Sequence, residues 1–252
     1  MLIDTHCHIH ESYELPIDEV LQRAAESEVG EYICVGTSEK SSELAVSFAE
    51  DHLEAYAAIG VHPHDTKDGY EAIAHIAGTS SKIVAVGEIG LDYFYTHSPR
   101  EVQMEALEAQ IQVALSYDLP IIFHVREAFD DFWPIFDKYP GIRGELHSFT
   151  DSSQNLQMAL DRGLYIGLNG ISTFTKDETQ KATFDSIPLD RLLLETDAPF
   201  LTPAPLRGKV NEPAYVKLVA QYHANRRGIS LEEIADATTA NARALFKLTA
   251  LS

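Results

Sequence analysis

The chain has 252 residues and a formal net charge of −20, because 39 acidic side chains stand against 19 lysines and arginines. This charge argues against any activity that depends on a broad basic face, such as nonspecific binding of long nucleic acids. With 45% apolar and 23% charged residues, the chain is neither disordered nor collagen-like and can bury a core.

Two cysteines, Cys7 and Cys34, are present without CxxC spacing. They predict a reduced, cytoplasmic setting rather than a disulfide framework. The first residues carry neither the basic nor the apolar region of a signal peptide, and no segment approaches about 18 uninterrupted apolar residues. We therefore expect neither export by a signal peptide nor membrane association.

Eight short apolar or β-branched runs recur along the chain, and each is followed by a helical pattern. They cover residues 2–6, 32–35, 55–61, 83–89, 120–125, 144–147, 164–168 and 192–195. Eight units in 252 residues leave about 31 residues for each. This length suits one strand with its crossover helix.

Helix signals lie between and after these runs. Ser98, Pro99 and Glu101 predict a capping box with proline at the first helical position. Ser230 repeats the capping signal before a final helix that is expected to end near Leu248. An apolar stripe on the first of these helices is expected to pack on the strands, and it consists of Met104, Leu107, Ile111, Ala114 and Leu115.

Continuous apolar strands that alternate with helices predict a parallel sheet, either closed as a barrel or doubly wound. The barrel is favoured because most runs end in His, Glu or Asp, and barrels collect their chemistry at the C-terminal ends of the strands. No long linker or tandem repeat marks a second domain. We therefore predict an α/β protein, a (β/α)8 TIM barrel that forms a single domain over residues 1–252.

The ends of six runs carry the candidate site. His6 and His8 close the first run, and residues two apart on an extended segment point the same way. An HxH pair alone could equally be two structural histidines or two metal ligands. Similar side chains end the other runs, namely His62, Glu88, His124, His147, Glu195 and Asp197. A barrel would aim five imidazoles and at least two carboxylates at one mouth.

This mixture of imidazoles and carboxylates is typical of divalent metal binding. Seven candidate ligands exceed the three or four protein ligands of one catalytic zinc, so we expect two ions. Zn, Mg and Mn remain open, because imidazoles suit zinc and paired carboxylates also suit the other two. Water bound to such ions ionises near a pH of about 7, which predicts a hydrolase without a Ser or Cys nucleophile.

Seven motifs follow one another along the chain: DTHCH (4–8), GVHPH (60–64), GEIGLDY (87–93), HVREA (124–128), HSF (147–149), LETDAP (194–199) and NEP (211–213). With them, nearly the whole chain resembles the TatD-type metal-dependent deoxyribonucleases of the amidohydrolase-like barrel superfamily. One departure is Asp151, which stands where many members have glycine. We expect it to cap the following helix, whereas facing the pocket it would repel a second phosphate.

The resemblance implies two ion sites that share Glu88 as a bridge. The first is surrounded by His6, His8, Glu88 and Asp197, and the second by Glu88, His124 and His147. The barrel interpretation agrees with the first site, because strands one and eight adjoin when a barrel closes.

Catalytic and substrate-binding roles are expected for a few of these residues. Glu88 and Asp197 are both expected to be catalytic. We expect Asp197 to orient or deprotonate the attacking water, unless Asp197 is a metal ligand alone. His62 is expected to contact the substrate phosphate or the leaving group, unless it only lines the pocket wall. Arg126 would bind phosphate or pair with an acid such as Glu127 or Glu195, and Tyr93 would stack on a base or pack in the wall.

Weaker interpretations concern three further positions. Glu195 would help to position a ligand or an additional ion, unless it pairs with Arg126. Glu212 is expected to anchor the loop before the penultimate helix. Cys7 lies between two ligands on an extended segment, so it should point away from them as buried filler.

The leading functional hypothesis is a DNase, most simply an exonuclease, that acts on single-stranded DNA ends or short oligonucleotides with two divalent ions. Long duplex DNA should be disfavoured by the net charge of −20. The alternative is a small-molecule amidohydrolase or esterase on the same barrel, because fold and metals do not choose the scissile bond. A third hypothesis is a non-enzymatic metal-binding or scaffolding protein, in which the predicted ligands would have no catalytic role. No obligate protein partner is predicted.

Overall fold

The computed structural model describes residues 1–249. The strands are β1 (Leu2–Cys7), β2 (Val29–Val35), β3 (Ala55–Ile59), β4 (Ile83–Asp92), β5 (Ile121–Arg126), β6 (Gly144–Leu146), β7 (Tyr165–Leu168) and β8 (Leu192–Leu194). The helices are α1 (Ile17–Glu26), α2 (Glu39–Asp51), α3 (Ile73–Ile76), α4 (Arg100–Ser116), α5 (Phe129–Phe136), α6 (Ser153–Asp161), α7 (Ile171–Phe174), α8 (Glu178–Asp185), α9 (Val216–Arg227) and α10 (Leu231–Phe246). Short 3-10 helices cover Thr66–Asp68, Leu189–Arg191 and Pro213–Tyr215.

All eight predicted runs are confirmed as strands, and their bounds differ from the prediction by a few residues. The strand β4 continues to Asp92, beyond the predicted end at Ile89, and its whole length is buried. The strand β2 begins at Val29, before the predicted start at Tyr32. Glycine and charged residues interrupt the apolar pattern in both extensions, which explains why the pattern missed them.

The eight strands form one sheet in the order of the chain, from β1 to β8. Pairing is parallel in β3–β4, β4–β5, β5–β6 and β7–β8. Cys7, the last residue of β1, forms a parallel bridge with Ala198, just after β8. A doubly wound sheet would separate its first and last strands, so this bridge confirms the predicted (β/α)8 barrel.

Contacts within the chain divide it into two compact units. The first unit comprises Met1–Ile33 and Ser148–Ser252, and the second comprises Cys34–His147. In the first unit, α9 and α10 pack on β1 and β8. In the second unit, α4 packs on β4, and a core of Ile59, Val61, Ile73, Ala77 and Ile83 lies beside it. The single domain over residues 1–252 stays a prediction.

The helix α4 begins at Arg100, close to its predicted start, but the predicted cap was wrong. Pro99 occupies the N-cap position, and no side chain caps the helix. The hydroxyl of Ser98 is used elsewhere, because it donates to the carbonyl of His64 at 2.7 Å and accepts from the N–H of Lys67 at 3.1 Å. Ser98 therefore ties the start of α4 to the loop after β3.

The stripe predicted on α4 is correct at its centre and wrong at one end. Leu107 and Ile111 are fully buried, whereas Leu115 is 37% exposed. The buried face also contains two glutamines, Gln103 and Gln110. An apolar pattern could not have included them, and their hydrogen bonds explain why they are buried.

Each buried glutamine binds both backbone groups of one residue at the end of a strand. The side chain of Gln110 accepts from the N–H of Val61 at 2.8 Å and donates to its carbonyl at 3.3 Å. The side chain of Gln103 makes the same pair with Asp92, at 2.9 and 3.1 Å. The helix α4 thereby fixes the chain at the C-terminal ends of β3 and β4.

The final helix α10 begins as predicted, with Ser230 as the N-cap that accepts from the N–H of Glu233 at 3.0 Å. It ends at Phe246, two residues before the predicted end at Leu248. Among residues 1–249, none of the helices combines the length and the apolar character needed to cross a membrane.

Gly90 allows β4 and β5 to approach closely. It pairs with His124 in the parallel register, and a Cβ atom on Gly90 would lie 1.8 Å from the carbonyl oxygen of His124. That distance is far below van der Waals contact, so any side chain would push the strands apart. Glu88 and Asp92 stand two residues to either side of Gly90, which places both carboxylates beside the same histidine.

Candidate metal centre

Three predicted metal ligands come together in the first unit. The Nε2 atom of His8 lies 3.2 Å from Oδ1 of Asp197 and 3.2 Å from Nε2 of His6, which is itself 3.7 Å from the same oxygen. The side chain of His6 is fully buried, and that of Asp197 is 15% exposed. We call these three residues the Asp197 set.

Backbone contacts between β1 and the segment after β8 hold this set. The N–H of Asp197 donates to the carbonyl of His6 at 2.8 Å, and the N–H of His8 donates to the carbonyl of Ala198 at 2.7 Å. Asp197 has a left-handed backbone with φ of 59°, which aspartate adopts more readily than most residues. The turn after β8 thereby brings its carboxylate to His6 in β1 and to His8 just after this strand.

Asp4 supports the Asp197 set through Thr196, the residue before Asp197, and was not predicted as a site residue. Its buried carboxylate accepts from the N–H of Thr196 at 2.8 Å and from the Thr196 hydroxyl at 2.6 Å. Burial raises the pKa of Asp4 to about 8, against the opposing effect of these hydrogen bonds. The spacing of Asp4 and His6, two residues apart in the first motif, was the available signal.

Glu195 lies in the first unit and fixes the chain directly after His147. Its buried Oε1 atom accepts from the N–H of Ser148 at 2.7 Å and from Nδ2 of Asn169 at 3.2 Å. Asn169 also donates to the hydroxyl of Ser148 at 2.8 Å. Ser148 has a left-handed backbone with φ of 49°, so these bonds stabilise a turn that few residues adopt unaided. This is a positioning contact, in line with one of the predicted alternatives.

The second unit gathers histidines around the carboxylate of Glu88. Its Oε1 atom lies 2.7 Å from Nδ1 of His124, 3.4 Å from Nε2 of His147 and 3.6 Å from Nε2 of His62. Glu88 is 4% exposed. His124 and His147 were the predicted partners of Glu88 in this part of the chain, and the structure brings both to it. We call these four residues the Glu88 set.

His62 was predicted to contact substrate, and it lies about as close to Glu88 as His147 does. Burial lowers the pKa of His62 to about 3, and the neighbouring His124 contributes to the decrease. The ring is therefore neutral at pH 7 and has a lone pair to offer to a metal ion. His62 was already one of the seven candidate ligands of the sequence, and the HxH spacing of His62 and His64 repeats that of the first motif.

Asp92 was not predicted as a site residue, yet it binds two histidines in the second unit. Its Oδ2 atom lies 3.0 Å from Nε2 of His124 and 3.0 Å from Nε2 of His64. Burial favours a higher pKa for Asp92, but the hydrogen bonds from His124 and from the backbone of Tyr95 hold the pKa well below its usual value. The spacing of Glu88, Gly90 and Asp92 on one strand could have revealed it.

One imidazole therefore spans two carboxylates. Nδ1 of His124 faces Glu88, and Nε2 faces Asp92. Burial favours a lower pKa for His124, but the hydrogen bonds with Asp92 and Glu88 outweigh it and raise the pKa.

The two predicted substrate contacts of the second unit have aromatic and polar partners. The guanidinium carbon of Arg126 lies 3.9 Å from the centroid of the Phe94 ring. The hydroxyl of Tyr93 donates to Asp131 at 2.8 Å, and the guanidinium of Arg100 covers its ring at 4.0 Å. Tyr93 is thus half-buried with its hydroxyl and its ring both in contact with neighbours, and the exposed rings are those of the two residues that follow it.

Asp151 supports the start of α6, although Ser152 is the residue at the N-cap. The carboxylate of Asp151 accepts from the N–H of Ser152 and from Nδ2 of Asn155, both at 2.6 Å. The hydroxyl of Ser152 accepts from the N–H of Asn155 at 3.2 Å. The expected capping role therefore falls on Ser152, and Asp151 assists it from the preceding position.

Glu212 and Cys7 have the structural roles expected of them. Glu212 is 2% exposed, and its carboxylate accepts from Nε of Arg23 at 2.8 Å and from a terminal guanidinium nitrogen at 2.7 Å. This pair anchors the loop before α9 to α1. Cys7 is fully buried, and its Sγ atom lies 3.4 Å from the carbonyl of Ile33.

Both sets suit a divalent cation by the chemistry of their donors. In the Asp197 set, two imidazole nitrogens and one carboxylate oxygen lie within 4.8 Å of one another, and the same is true of His62, Glu88 and His124. Three such donors are the usual protein ligands of a catalytic zinc. Buried carboxylates are costly unless positive charge compensates them, and a bound cation would supply it.

Comparisons with known proteins agree with this chemistry. The family model for TatD related DNase matches residues 3–247. The metal-dependent hydrolase YabD of Bacillus subtilis is 40% identical over 98% of this chain and 100% of its own length. A protein of Citrobacter rodentium named 3'-5' ssDNA/RNA exonuclease TatD is 37% identical over 92% of both chains. The crystal structure of the TatD homologue YjjV from Escherichia coli has a TM-score of 0.90 at 32% identity and covers 98% of both chains.

Proposed function

Because the chain belongs to the family of TatD-related DNases, we propose that it is a metal-dependent exonuclease that hydrolyses phosphodiester bonds at the ends of single-stranded DNA or of short oligonucleotides. The relative that is 37% identical is named a 3'-5' ssDNA/RNA exonuclease. This name supports a 3'-to-5' direction and makes single-stranded RNA a second substrate to test.

The observation that carries this proposal is the pair of buried donor sets. His6, His8 and Asp197 converge in the first unit, and His62, Glu88 and His124 converge in the second, each within 4.8 Å. We propose that each set holds one divalent ion, of Zn, Mn or Mg. The bridging role of Glu88 stays a prediction from the resemblance.

A divalent ion held by such residues lowers the pKa of a water molecule toward about 7 and offsets the negative charge of a phosphodiester. In the proposed reaction, Asp197 orients the attacking water and accepts its proton. A bond then forms from the water oxygen to phosphorus as the bond to the leaving oxygen breaks, and the leaving oxygen takes up a proton from solvent. Glu88, His124 and His147 would hold the second ion, so His62 is left to contact the phosphate or the leaving group. Arg126 neutralises a phosphate, and Tyr93 stays in the pocket wall.

The decisive experiment compares the wild-type protein with Glu88→Gln after both are loaded with metal. End-labelled single-stranded DNA and single-stranded RNA are incubated with each protein, and a panel of amides and esters is run in parallel. We expect stepwise shortening of DNA by the wild type alone. DNA turnover no faster than that of Glu88→Gln would contradict the proposal, and turnover confined to an amide or ester would establish the alternative.

The number and identity of the ions need a separate measurement. Elemental analysis of protein purified without added metal should find close to two ions per chain if the proposal is correct. Chelation should abolish nuclease activity, and add-back of Zn, Mn and Mg one at a time should identify the ion that restores it. A cytoplasmic location and a single domain are part of the proposal, and the buried thiols of Cys7 and Cys34 support the former.

A further inference from the structure

An exposed aromatic turn follows β4, directly after the carboxylate that binds His124. Phe94 is 48% exposed and Tyr95 is 42% exposed. Their rings meet edge to face with 4.7 Å between the centroids. Contiguous exposed apolar surface, unlike single exposed apolar residues, is typical of sites of interaction. We call Phe94, Tyr95 and Arg126 the aromatic platform.

The platform is held in a fixed position by Asp92. The Oδ1 atom of Asp92 accepts from the N–H of Phe94 and from the N–H of Tyr95, both at 3.0 Å. The Oδ2 atom of the same carboxylate binds His124. One side chain thus orients a candidate metal ligand and fixes the exposed turn, which places the platform at the rim of the Glu88 set.

The ring of Tyr95 also contacts two histidines. It meets His64 edge to face at 5.3 Å and stacks on His97 at 5.6 Å with an angle of 22° between the planes. His64 is itself bound to Asp92 at 3.0 Å. A ring fixed in this way loses little conformational freedom when a ligand stacks on it.

Positive charge accompanies these rings, in a chain whose net charge is −20. The guanidinium carbon of Arg126 lies 3.9 Å from the centroid of Phe94 and 5.0 Å from that of Tyr95. Arg100 lies beside the same turn, over the ring of Tyr93 at 4.0 Å. Aromatic faces interleaved with arginine suit a ligand that has both flat rings and negative charge, as a nucleic acid strand does.

We propose that the aromatic platform binds single-stranded nucleic acid beside the scissile phosphate, with bases stacked on Phe94 and Tyr95 and a backbone phosphate on Arg126. This inference rests on the proposed function and names the part of the substrate that the protein recognises. In a duplex the faces of the bases are covered by their neighbours, so a stacking platform selects single strands and frayed ends. The sequence prediction of base stacking at Tyr93 thereby moves to its two exposed neighbours.

The first test measures binding without turnover. The probe is a fluorescein-labelled, phosphorothioate-linked DNA 12-mer, and its Kd for the metal-loaded protein is measured by fluorescence anisotropy. The double variant Phe94→Ala/Tyr95→Ala should bind the single strand at least about 10-fold more weakly than the wild type. Tyr117→Ala is the matched control, because Tyr117 is a 47% exposed tyrosine at the opposite end of α4, and it should leave the Kd unchanged.

The second test asks whether the lost contact is with the bases. A 12-mer whose last three nucleotides are abasic should bind the wild type at least about 10-fold more weakly than the intact strand, and the double variant should bind both strands equally. Equal Kd values for the wild type and the double variant would overturn the platform. It would also be overturned if removal of the three bases weakened binding to the double variant as much as it weakened binding to the wild type. If the strand binds in the expected way and its unmodified phosphodiester version is never cleaved by the metal-loaded protein, the proposed nuclease function is overturned and the platform stands.

Discussion

Asp92 and His124 are joined by a contact of 3.0 Å between Oδ2 and Nε2, and this contact leaves Nδ1 of the same imidazole facing Glu88 at 2.7 Å. A carboxylate on one ring nitrogen fixes the tautomer and the direction of the other nitrogen, as it does for most metal-binding histidines. Asp92 is therefore a positioning residue for the Glu88 set, and Gly90 makes the arrangement sterically possible.

The first prediction concerns the substitution Asp92→Asn. An amide in place of the carboxylate loses the charge that holds His124 and His64, so metal affinity of the Glu88 set should fall about 10- to 100-fold. Calorimetric titration of the metal-free protein measures this change. Asp131→Asn is the control, because its carboxylate binds Tyr93 in the same unit, and it should behave as the wild type. Unchanged affinity in Asp92→Asn would show that Asp92 supports only the turn that follows it.

The second prediction concerns Asp197→Asn and His147→Ala. Both residues belong to the proposed catalytic machinery, so each variant should lose about 100-fold or more of the rate of DNA hydrolysis. The free energy of unfolding of the metal-free variants should differ from that of the wild type by about 1 kcal/mol or less, so the loss of rate should far exceed the loss of stability. Steady-state kinetics and urea denaturation supply the two numbers.

Two exposed residues provide matched controls for that pair. Asp161→Asn and His75→Ala change the same side-chain types at exposed positions that belong to neither set, and both should retain activity. If Asp197→Asn and His147→Ala lost stability in proportion to their loss of rate, the two residues would be structural supports rather than participants in the reaction.

Much of the fold could be predicted because parallel strands in a barrel are continuous apolar runs. Each of the eight runs is a strand, and their order follows the chain. Within each unit, predicted ligands lie together: HxH spacing brings His6 and His8 to Asp197 in the first unit, and the ends of β5 and β6 bring His124 and His147 to Glu88 in the second. Charged and glycine residues inside a strand obey no apolar pattern, and for this reason the extension of β4 to Asp92 was missed.

The sequence could not reveal contacts that depend on packing between elements. Asp4, Asp92 and Gln103 are polar residues whose burial is explained only by their partners, since hydrogen bonds compensate the loss of water. Ser98 had the residue type and the position of a helix cap, yet its hydroxyl binds the loop after β3. Local propensity gave way there to a tertiary hydrogen bond.

The third prediction concerns the two buried glutamines of α4. Gln110→Leu would remove the side-chain partner of the N–H and the carbonyl of Val61. Gln103→Leu would remove the side-chain partner of the N–H and the carbonyl of Asp92 and of the carbonyl of Ser98. The loss of buried hydrogen bonds should cost about 1–3 kcal/mol of unfolding free energy in each variant. Gln112→Leu, an exposed position on the same helix, should change stability by less than about 0.5 kcal/mol. Urea denaturation measures the unfolding free energies. Equal stability of all three variants would show that the hydrogen bonds of Gln103 and Gln110 do not stabilise the fold.

The fourth prediction is a pH dependence of stability that arises from His223 in α9. This histidine is fully buried, and its Nε2 atom lies 2.8 Å from the hydroxyl of Ser172. Burial lowers its pKa to about 3, and the nearby Arg227 contributes to the decrease. An unfolded histidine has a pKa of about 6.5, so the unfolded state takes up a proton at a higher pH than the folded state does.

The neutral form of His223 therefore contributes to the free energy of unfolding. This contribution is fully present above a pH of about 6.5 and is lost as the pH falls from there toward about 3, at up to about 1.4 kcal/mol per pH unit. Urea denaturation of the chelated protein between pH 7 and pH 4 measures the slope. His223→Gln keeps a polar group beside Ser172 but cannot titrate, so its unfolding free energy should decline less steeply than that of the wild type. His75→Gln, at an exposed position, should keep the wild-type slope. Parallel curves for wild type and His223→Gln would show that other groups dominate the acid unfolding of this protein.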